Sequence, residues 1–138
     1  ERIIFEQHKK EKLDHLKIYH KVDVSLDTFP YPGVTTSFES IWMGVPVLTK
    51  KGDNFVSRCG ESININLNLK NFLADNEKDY IKKAVNINQN REEIISLRDT
   101  LRDKGLNSVL FDSKKFGNSF SDKMHAIWTE YVNKNNIK

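Results

Sequence analysis

Two adjacent threonines and a serine follow a loop rich in proline and glycine, and these residue types could hold a phosphate group. The loop runs from Phe29 to Gly33, and Thr35, Thr36 and Ser37 come almost directly after it. The first turn of a helix leaves its backbone N–H groups unpaired and carries a partial positive charge. Hydroxyls beside such amides form a cradle for an anion, and a glycine lets the backbone approach a ligand closely.

The same spacing also fits a helix that begins without any ligand. Thr36 and Glu39 stand three residues apart, as in a capping box, where the threonine hydroxyl caps the helix and the glutamate reaches back to the threonine amide. A carboxylate at Glu39 would repel a bare phosphate, whereas it suits the hydroxyls of a ribose. On local spacing alone we favour the capping box.

Asp27 ends a predicted strand just before this loop. In an open parallel sheet, ligands bind beyond the carboxyl ends of the strands, so this position lies at the expected ligand edge. We interpret Asp27 and Gly33 as residues that support the loop, and we do not assign Asp27 as a general base. His8, His20 and His125 have no partner at metal-ligand spacing, so no metal site is predicted.

The elements that must position these residues alternate between strand-like and helix-like patterns. We predict strands at 3–5, 22–27, 45–49 and, from alternating apolar residues and asparagines, 63–69. We predict helices at 12–20, 36–43, 55–61, 77–88, from a second capping box at 90–93 onward, and as a long amphipathic helix that begins at 116. This alternation implies a parallel sheet covered by helices.

The composition fits one folded domain or part of a larger one. The chain has 138 residues, of which 38% are hydrophobic and 30% charged, and this apolar share can bury a core. The 22 Lys and Arg residues against 19 Asp and Glu are spread along the chain, which argues against a nucleic-acid-binding surface. The single cysteine, Cys59, excludes an internal disulfide and favours a reducing, cytoplasmic setting.

A long motif from Val22 to Thr49 resembles the O-GlcNAc transferase family, which includes the plant SPINDLY-like proteins and bacterial relatives. Its most specific parts are Asp27-Thr28-Phe29-Pro30-Tyr31, the pair Thr35-Thr36, and Trp42-Met43-Gly44-Val45-Pro46-Val47. The likeness continues at residues 2–5, 12–15, 52–58, 96–98, 101–102, 108–112 and 127–131. It covers nearly the whole chain and reverses the preference for a simple capping box.

The resemblance implies an α/β fold, a Rossmann-like parallel sheet with flanking helices that forms the C-terminal half of a GT-B glycosyltransferase. Residues 1–138 would be the C-terminal UDP-sugar-binding (donor) domain, truncated at its N-terminus, with 116–138 as its terminal amphipathic helix. In the family, the acceptor cleft, a lysine that neutralises the leaving diphosphate, and the tetratricopeptide repeats of many members lie upstream. The isolated segment is therefore expected to be inactive.

The implied activity is the transfer of N-acetylglucosamine, with inversion, from UDP-GlcNAc to Ser or Thr of proteins, without a metal ion or other cofactor. The implied partners are the UDP-sugar and a protein acceptor bound through upstream regions, and neither nucleic acid nor a membrane is implied. Two alternatives stay open. One is a protein N-glucosyltransferase that uses UDP-glucose, and the other is a non-catalytic module that binds a nucleotide sugar.

The resemblance also implies roles for individual residues. By this likeness Lys12 contacts the uridine portion, and His15 packs against the uracil ring. Thr35 and Thr36 hold the diphosphate at the N-terminus of a helix, and Glu39 stands where the family has an acid for the ribose hydroxyls. No catalytic residue is implied within this segment, so its expected share of the reaction is donor binding.

Overall fold

A computed structural model describes residues 2–7, 9, 11–87 and 89–135, without the side chain of Lys12. Three short parallel strands form one sheet in the order β1-β2-β3: β1 (Ser25–Leu26), β2 (Val47–Lys50) and β3 (Leu73–Ala74). Ser25 pairs with Val47, and Thr49 pairs with Leu73. The predicted parallel sheet with flanking helices is therefore confirmed.

Six α-helices lie along the described part of the chain. They are α1 (Lys12–Lys17), α2 (Thr35–Trp42), α3 (Cys59–Asn66), α4 (Glu77–Ile87), α5 (Arg91–Leu106) and α6 (Ser113–Lys134). Short 3₁₀ turns follow α1 at Ile18–Lys21, precede α3 at Val56–Arg58, and precede β3 at Lys70–Phe72. All six helical regions were predicted from the sequence. The bounds differ most for α3, and α1 ends earlier and α6 begins earlier than predicted.

The hydrophobic core lies between α2, α3 and α5. Its buried side chains are Ile41, Ile63, Leu67, Leu69, Phe72, Leu97 and Leu101. Ile63 of α3 and Leu67, the residue that caps its C-terminus, are four apart, as are Leu97 and Leu101 of α5, so each pair lies on one face of its helix. The apolar residues of β2 are also buried, because a central parallel strand is covered on both faces. This packing holds β1, β2 and α2 in fixed positions.

The strand predicted at 63–69 is wrong, because residues 59–66 form the helix α3. Alternation of isoleucine and asparagine indicated a strand, but Ile63 and Leu67 also satisfy the four-residue period of a helix. The helix also allows Asn64 to point inward, where its Nδ2 donates to the backbone oxygens of Val47 (2.9 Å) and Phe72 (2.8 Å). The helix predicted at 55–61 is wrong in extent, since Gly60 lies inside α3 instead of ending a helix.

The strand predicted at residues 3–5 is also wrong. These residues have no regular secondary structure in the described part of the chain, and the side chains of Ile3, Ile4 and Phe5 are exposed. A strand needs a neighbour that pairs with its backbone N–H and C=O groups. Among the described residues, the sheet contains β1, β2 and β3 alone, and residues 3–5 pair with none of them.

The predicted terminal amphipathic helix is present as α6, which begins at Ser113, three residues before the predicted start, and ends at Lys134. Asp112 is its N-cap residue and accepts a hydrogen bond from Lys115 N (2.8 Å). Residues 136–138 of the predicted helix lie outside the described residues. Its apolar stripe is exposed, with 48% to 69% exposure at Phe116, Phe120, Met124, Ile127, Trp128 and Tyr131. Trp128 falls on this apolar stripe and is 60% exposed, so it is not part of the core formed by the described residues. No helix of the described residues is both long and apolar enough to cross a membrane.

Candidate functional site

The candidate site lies where the carboxyl ends of β1 and β2 meet the N-terminus of α2. Asp27 follows β1, and its backbone N–H donates to Leu48 O of β2 (2.9 Å). Its side chain is 8% exposed, and Oδ1 accepts hydrogen bonds from Gly33 N (2.7 Å) and Thr28 N (3.1 Å). One carboxylate oxygen thus binds the residue before the loop and the last residue of the loop.

The second carboxylate oxygen of Asp27 faces the sheet. Oδ2 accepts a hydrogen bond from the Thr49 hydroxyl (2.7 Å), and Tyr80 donates to the Asp27 backbone oxygen (2.9 Å). A Cβ atom added at Gly60 would lie 2.3 Å from Thr49 Oγ1 and 2.9 Å from Asp27 Oδ2, so α3 approaches this group closely. These are the contacts of a residue that supports a loop, and sequence reasoning missed Thr49 and Gly60.

The capping box that local spacing favoured does not form. Helix α2 begins at Thr35, Val34 stands at the N-cap position, and no described side chain caps this end. Thr35 and Thr36 are exposed, so their hydroxyls are open to solvent beside the backbone amides of the first helical turn. The Glu39 carboxylate points to His15 instead, with Oε2 at 3.3 Å from Nε2.

Gly33 and Ser37 shape the entrance to this helix. A Cβ atom at Gly33 would lie 2.5 Å from Thr36 Oγ1 and 2.9 Å from Ser37 Oγ, so no other residue type fits without displacing those hydroxyls. Ser37 is buried and donates to Gly33 O (3.0 Å). Of the three hydroxyl residues that open α2, Ser37 therefore holds the backbone, and the two threonines remain available to a ligand.

His15 lies beside α2 although 24 residues separate it from Glu39 in sequence. The structure therefore brings together four of the predicted donor-binding residues: His15, Thr35, Thr36 and Glu39. The fifth, Lys12, opens α1 three residues before His15, which places the two on one helical face. Its side chain lies outside the described residues.

Tyr19 is a part of this site that sequence reasoning missed. Its hydroxyl donates to Thr36 O (3.2 Å), and its ring meets the His15 ring edge-on, with 6.1 Å between the centroids. Burial, and then the Glu39 carboxylate, raise the pKa of the Tyr19 hydroxyl, which favours the protonated form that donates this hydrogen bond. The available signal was its spacing, since Tyr19 follows His15 by four residues on the same face.

Arg98 of α5 binds both the turn that follows α1 and the C-terminal end of α2. Its Nη1 donates to Tyr19 O (3.1 Å) and Met43 O (3.2 Å), and its Nη2 donates to Val22 O. Met43 closes α2, while Tyr19 and Val22 belong to the turn between α1 and β1. A single guanidinium thus joins the elements that carry His15 and Glu39.

Side chains that could bind a metal ion do not form a cluster in the described part of the chain. Among residues 2–7, 9, 11–87 and 89–135, no group of three or more His, Cys, Asp and Glu side chains is placed to hold an ion. The polar groups that are available are an imidazole, a carboxylate, two hydroxyls and the amides at the N-terminus of α2. This set suits a ligand that has an aromatic ring, vicinal hydroxyls and an anion.

Comparisons with known proteins agree on one family. The model of glycosyl transferase family 41 matches residues 1–120. The probable UDP-N-acetylglucosamine–peptide N-acetylglucosaminyltransferase SPINDLY of Solanum lycopersicum is 36% identical over 118 residues, 86% of this chain and 13% of the relative. The UDP-N-acetylglucosamine–peptide N-acetylglucosaminyltransferase of Caenorhabditis elegans is 26% identical over 120 residues, 87% of this chain and 10% of the relative.

A solved structure of an O-GlcNAc transferase mutant from Thermobaculum terrenum matches with a TM-score of 0.80 and 30% sequence identity. The match covers 91% of this chain and 24% of that chain. The chain spans about 13% of the length of the curated SPINDLY relative from tomato. Similarity in sequence and in backbone therefore extends over most of this chain and over a minor part of each relative.

Proposed function

The chain belongs to glycosyl transferase family 41 and matches part of the GT-B fold of its O-GlcNAc transferase neighbour, and from this premise we propose that it binds the UDP portion of a UDP-GlcNAc donor. The parent enzyme would transfer N-acetylglucosamine to Ser or Thr of a protein, and the names of the relatives print the transfer of N-acetylglucosamine to a peptide. The observation that carries the proposal is the exposed threonine pair at the uncapped start of α2, beside His15 and Glu39.

Each part of UDP has a matching group in the site. The flat imidazole of His15 can stack on the uracil ring, and base stacking on an aromatic ring contributes about 1–3 kcal/mol. The Glu39 carboxylate can accept hydrogen bonds from the ribose hydroxyls. Thr35, Thr36 and the first amides of α2 can donate to the diphosphate, which the positive end of the helix attracts.

The same contacts assist the departure of UDP. In an inverting transfer, the acceptor hydroxyl oxygen forms a bond to the anomeric carbon while the bond from that carbon to the diphosphate oxygen breaks. Negative charge develops on the diphosphate, and donors that are already oriented stabilise this charge without reorganisation. Thr35, Thr36 and the first amides of α2 would supply part of that stabilisation. Other regions of the enzyme would bind the acceptor and accept its proton.

Replacing both Thr35 and Thr36 with alanine should weaken UDP binding tenfold or more. A hydrogen bond to a charged group contributes about 1.5–3 kcal/mol, and each 1.4 kcal/mol is about a factor of ten in affinity. Calorimetric titration of the full-length protein with UDP measures the effect. The matched control is the double variant Thr100→Ala and Thr129→Ala, which removes two exposed hydroxyls that donate to helix carbonyls. Equal UDP affinity in all three proteins would remove the diphosphate assignment.

Replacing His15 with alanine should weaken the binding of uridine and of UDP by similar factors, about fivefold or more, because both ligands contain the stacked base. His15→Phe keeps a flat ring and should retain most of the affinity for uridine. His125 is exposed on α6, so His125→Ala is the control. A His15→Ala protein that loses affinity for UDP but binds uridine normally would show that the imidazole contacts the phosphates.

The donor sugar is tested separately from the nucleotide. We expect UDP-GlcNAc to displace UDP from the full-length protein more effectively than UDP-glucose does. The described residues contact the nucleotide in this proposal, so the preference would come from groups that meet the 2-substituent of the sugar. A preference for UDP-glucose would indicate that the protein transfers glucose, and it would not contradict the proposal that these residues bind UDP.

A further inference from the structure

We propose that Tyr19 is a positioning residue, which sets the distance between the part of the site that faces uracil and the part that faces the diphosphate. This inference rests on the proposed function, because it concerns how the same site binds UDP. Tyr19 lies between the two parts, in the 3₁₀ turn that extends α1, and its hydroxyl donates to Thr36 O in the first turn of α2.

Two side-chain hydrogen bonds join the α1 segment to α2 within the described residues. One is the contact between His15 and Glu39 at 3.3 Å, and the other is the hydrogen bond from Tyr19 to Thr36 O at 3.2 Å. In the proposed complex His15 covers the base and Glu39 binds the ribose, so the contact between these two side chains weakens or breaks. The Tyr19 hydrogen bond uses neither group, and it remains when the nucleotide is bound.

Tyr19 is itself held in place from two sides. Its backbone oxygen accepts hydrogen bonds from Arg98 Nη1 (3.1 Å) and from Val22 N (3.2 Å). Its ring meets the edge of the His15 ring at an interplanar angle of 88°. The side chain thus contacts the imidazole with its ring and the α2 backbone with its hydroxyl, while its main chain is fixed by α5.

A side chain that fixes the distance between two subsites affects the affinity for UDP differently from the affinities for its separate parts. UDP is a base and a diphosphate joined covalently, so binding of one end presents the other end at a high effective concentration only if the two subsites are at the matching distance. Loss of the hydrogen bond from Tyr19 to Thr36 O should therefore weaken the binding of UDP and leave the affinities for the base alone and for the diphosphate alone almost unchanged. A residue needed merely for folding would weaken all three ligands together.

The test is Tyr19→Phe, which removes the hydroxyl and keeps both the ring and the backbone oxygen that Arg98 binds. We expect the affinity of the full-length protein for UDP to fall about threefold to tenfold, as for the loss of one partly exposed hydrogen bond. The affinities for uridine and for inorganic pyrophosphate, measured by NMR titration, should change by less than about twofold. The control is Tyr131→Phe, since Tyr131 is exposed on α6.

The outcomes separate this inference from the function on which it rests. Wild-type protein that binds no UDP overturns the proposed function and the role of Tyr19 with it. Wild-type protein that binds UDP while Tyr19→Phe binds it equally well overturns the role of Tyr19 alone. Parallel losses for UDP, uridine and pyrophosphate, or a lowered melting temperature that accounts for the loss, would also overturn it by making Tyr19 a general structural residue.

Discussion

Replacement of Arg98 with methionine is expected to destabilise the packing of α2 and of the α1–β1 turn by about 3–5 kcal/mol. The guanidinium donates to three backbone oxygens, those of Tyr19, Val22 and Met43. Methionine fills much of the same space but offers no donor, so these carbonyls would lose their charged partner. The free energy of local opening, obtained from amide hydrogen exchange of α2 in the full-length protein, measures the loss.

Two further variants make the Arg98 result specific. Arg98→Lys should lie between wild type and Arg98→Met, because a single ammonium group cannot match the fork geometry that reaches three carbonyls. Arg102 is the control on the same helix: it is exposed and its guanidinium carbon lies 4.0 Å from the Trp42 ring centroid. Arg102→Met should cost about 1 kcal/mol at most. Equal protection in Arg98→Met and Arg102→Met would show that the three hydrogen bonds contribute nothing to stability.

The backbone around Arg98 is as restricted as its side chain. Gly44 ends α2 with a φ of 75°, in the left-handed region that favours glycine. A Cβ atom there would lie 2.4 Å from Arg98 O, so α5 passes against the end of α2 with no room for a side chain. This close approach explains why a glycine follows the end of α2, and it fixes α5 against that end of the helix.

The elements of the site were predictable because their signals are local. Prolines and glycine between Phe29 and Gly33 exclude a helix or a strand, the apolar run before Thr49 indicates a buried strand, and Gly44 marks the end of α2. The position of Asp27 at the end of β1 followed from the same patterns. The long motif then indicated the family, and the family match and the backbone similarity confirm it.

The predictions that failed depend on partners distant in sequence. Spacing alone assigned Glu39 to a capping box, but the carboxylate contacts His15, 24 residues away. The segment 63–69 has a pattern that fits either a strand or a helix, and the choice depends on carbonyls of β2 and of the turn before β3. No local period contains that information, and for the same reason the sequence did not indicate the roles of Tyr19 and Arg98.

Replacement of Asn64 with leucine is expected to lower the free energy of unfolding by about 3 kcal/mol, because two buried carbonyls would lose the one side-chain donor that the described residues offer them. Asn64 is 1% exposed, and its Nδ2 donates to Val47 O and Phe72 O. The amide thus connects α3 to β2 and to the start of β3. Within the described part of the chain its Oδ1 accepts no hydrogen bond, so the contribution comes from the NH₂ group.

The matched control is Asn66→Leu, two residues later on α3, where the side chain is exposed and donates to Ser62 O within the same helix (2.9 Å). We expect Asn66→Leu to change stability by about 0.5 kcal/mol at most, as for other surface substitutions. Hydrogen exchange of β2 and α3 in the full-length protein would report both values. A loss for Asn64→Leu no larger than that for Asn66→Leu would contradict the role of the buried amide.

The variant Asn64→Asp tests the same contacts through pH. A carboxylate there would be buried and would face the oxygens of Val47 and Phe72, so burial and repulsion raise the pKa of the new carboxyl in the folded state above its value in the unfolded chain. The folded state then binds more protons than the unfolded state, and stability must rise as the pH falls toward the unfolded pKa and decline as it rises through the folded pKa. A protonated carboxyl can donate to one of the two carbonyls, which leaves the recovery at low pH incomplete. Stability of Asn64→Asp that matches wild type at neutral pH, or that increases with pH, would show that this side chain does not bridge the two carbonyls.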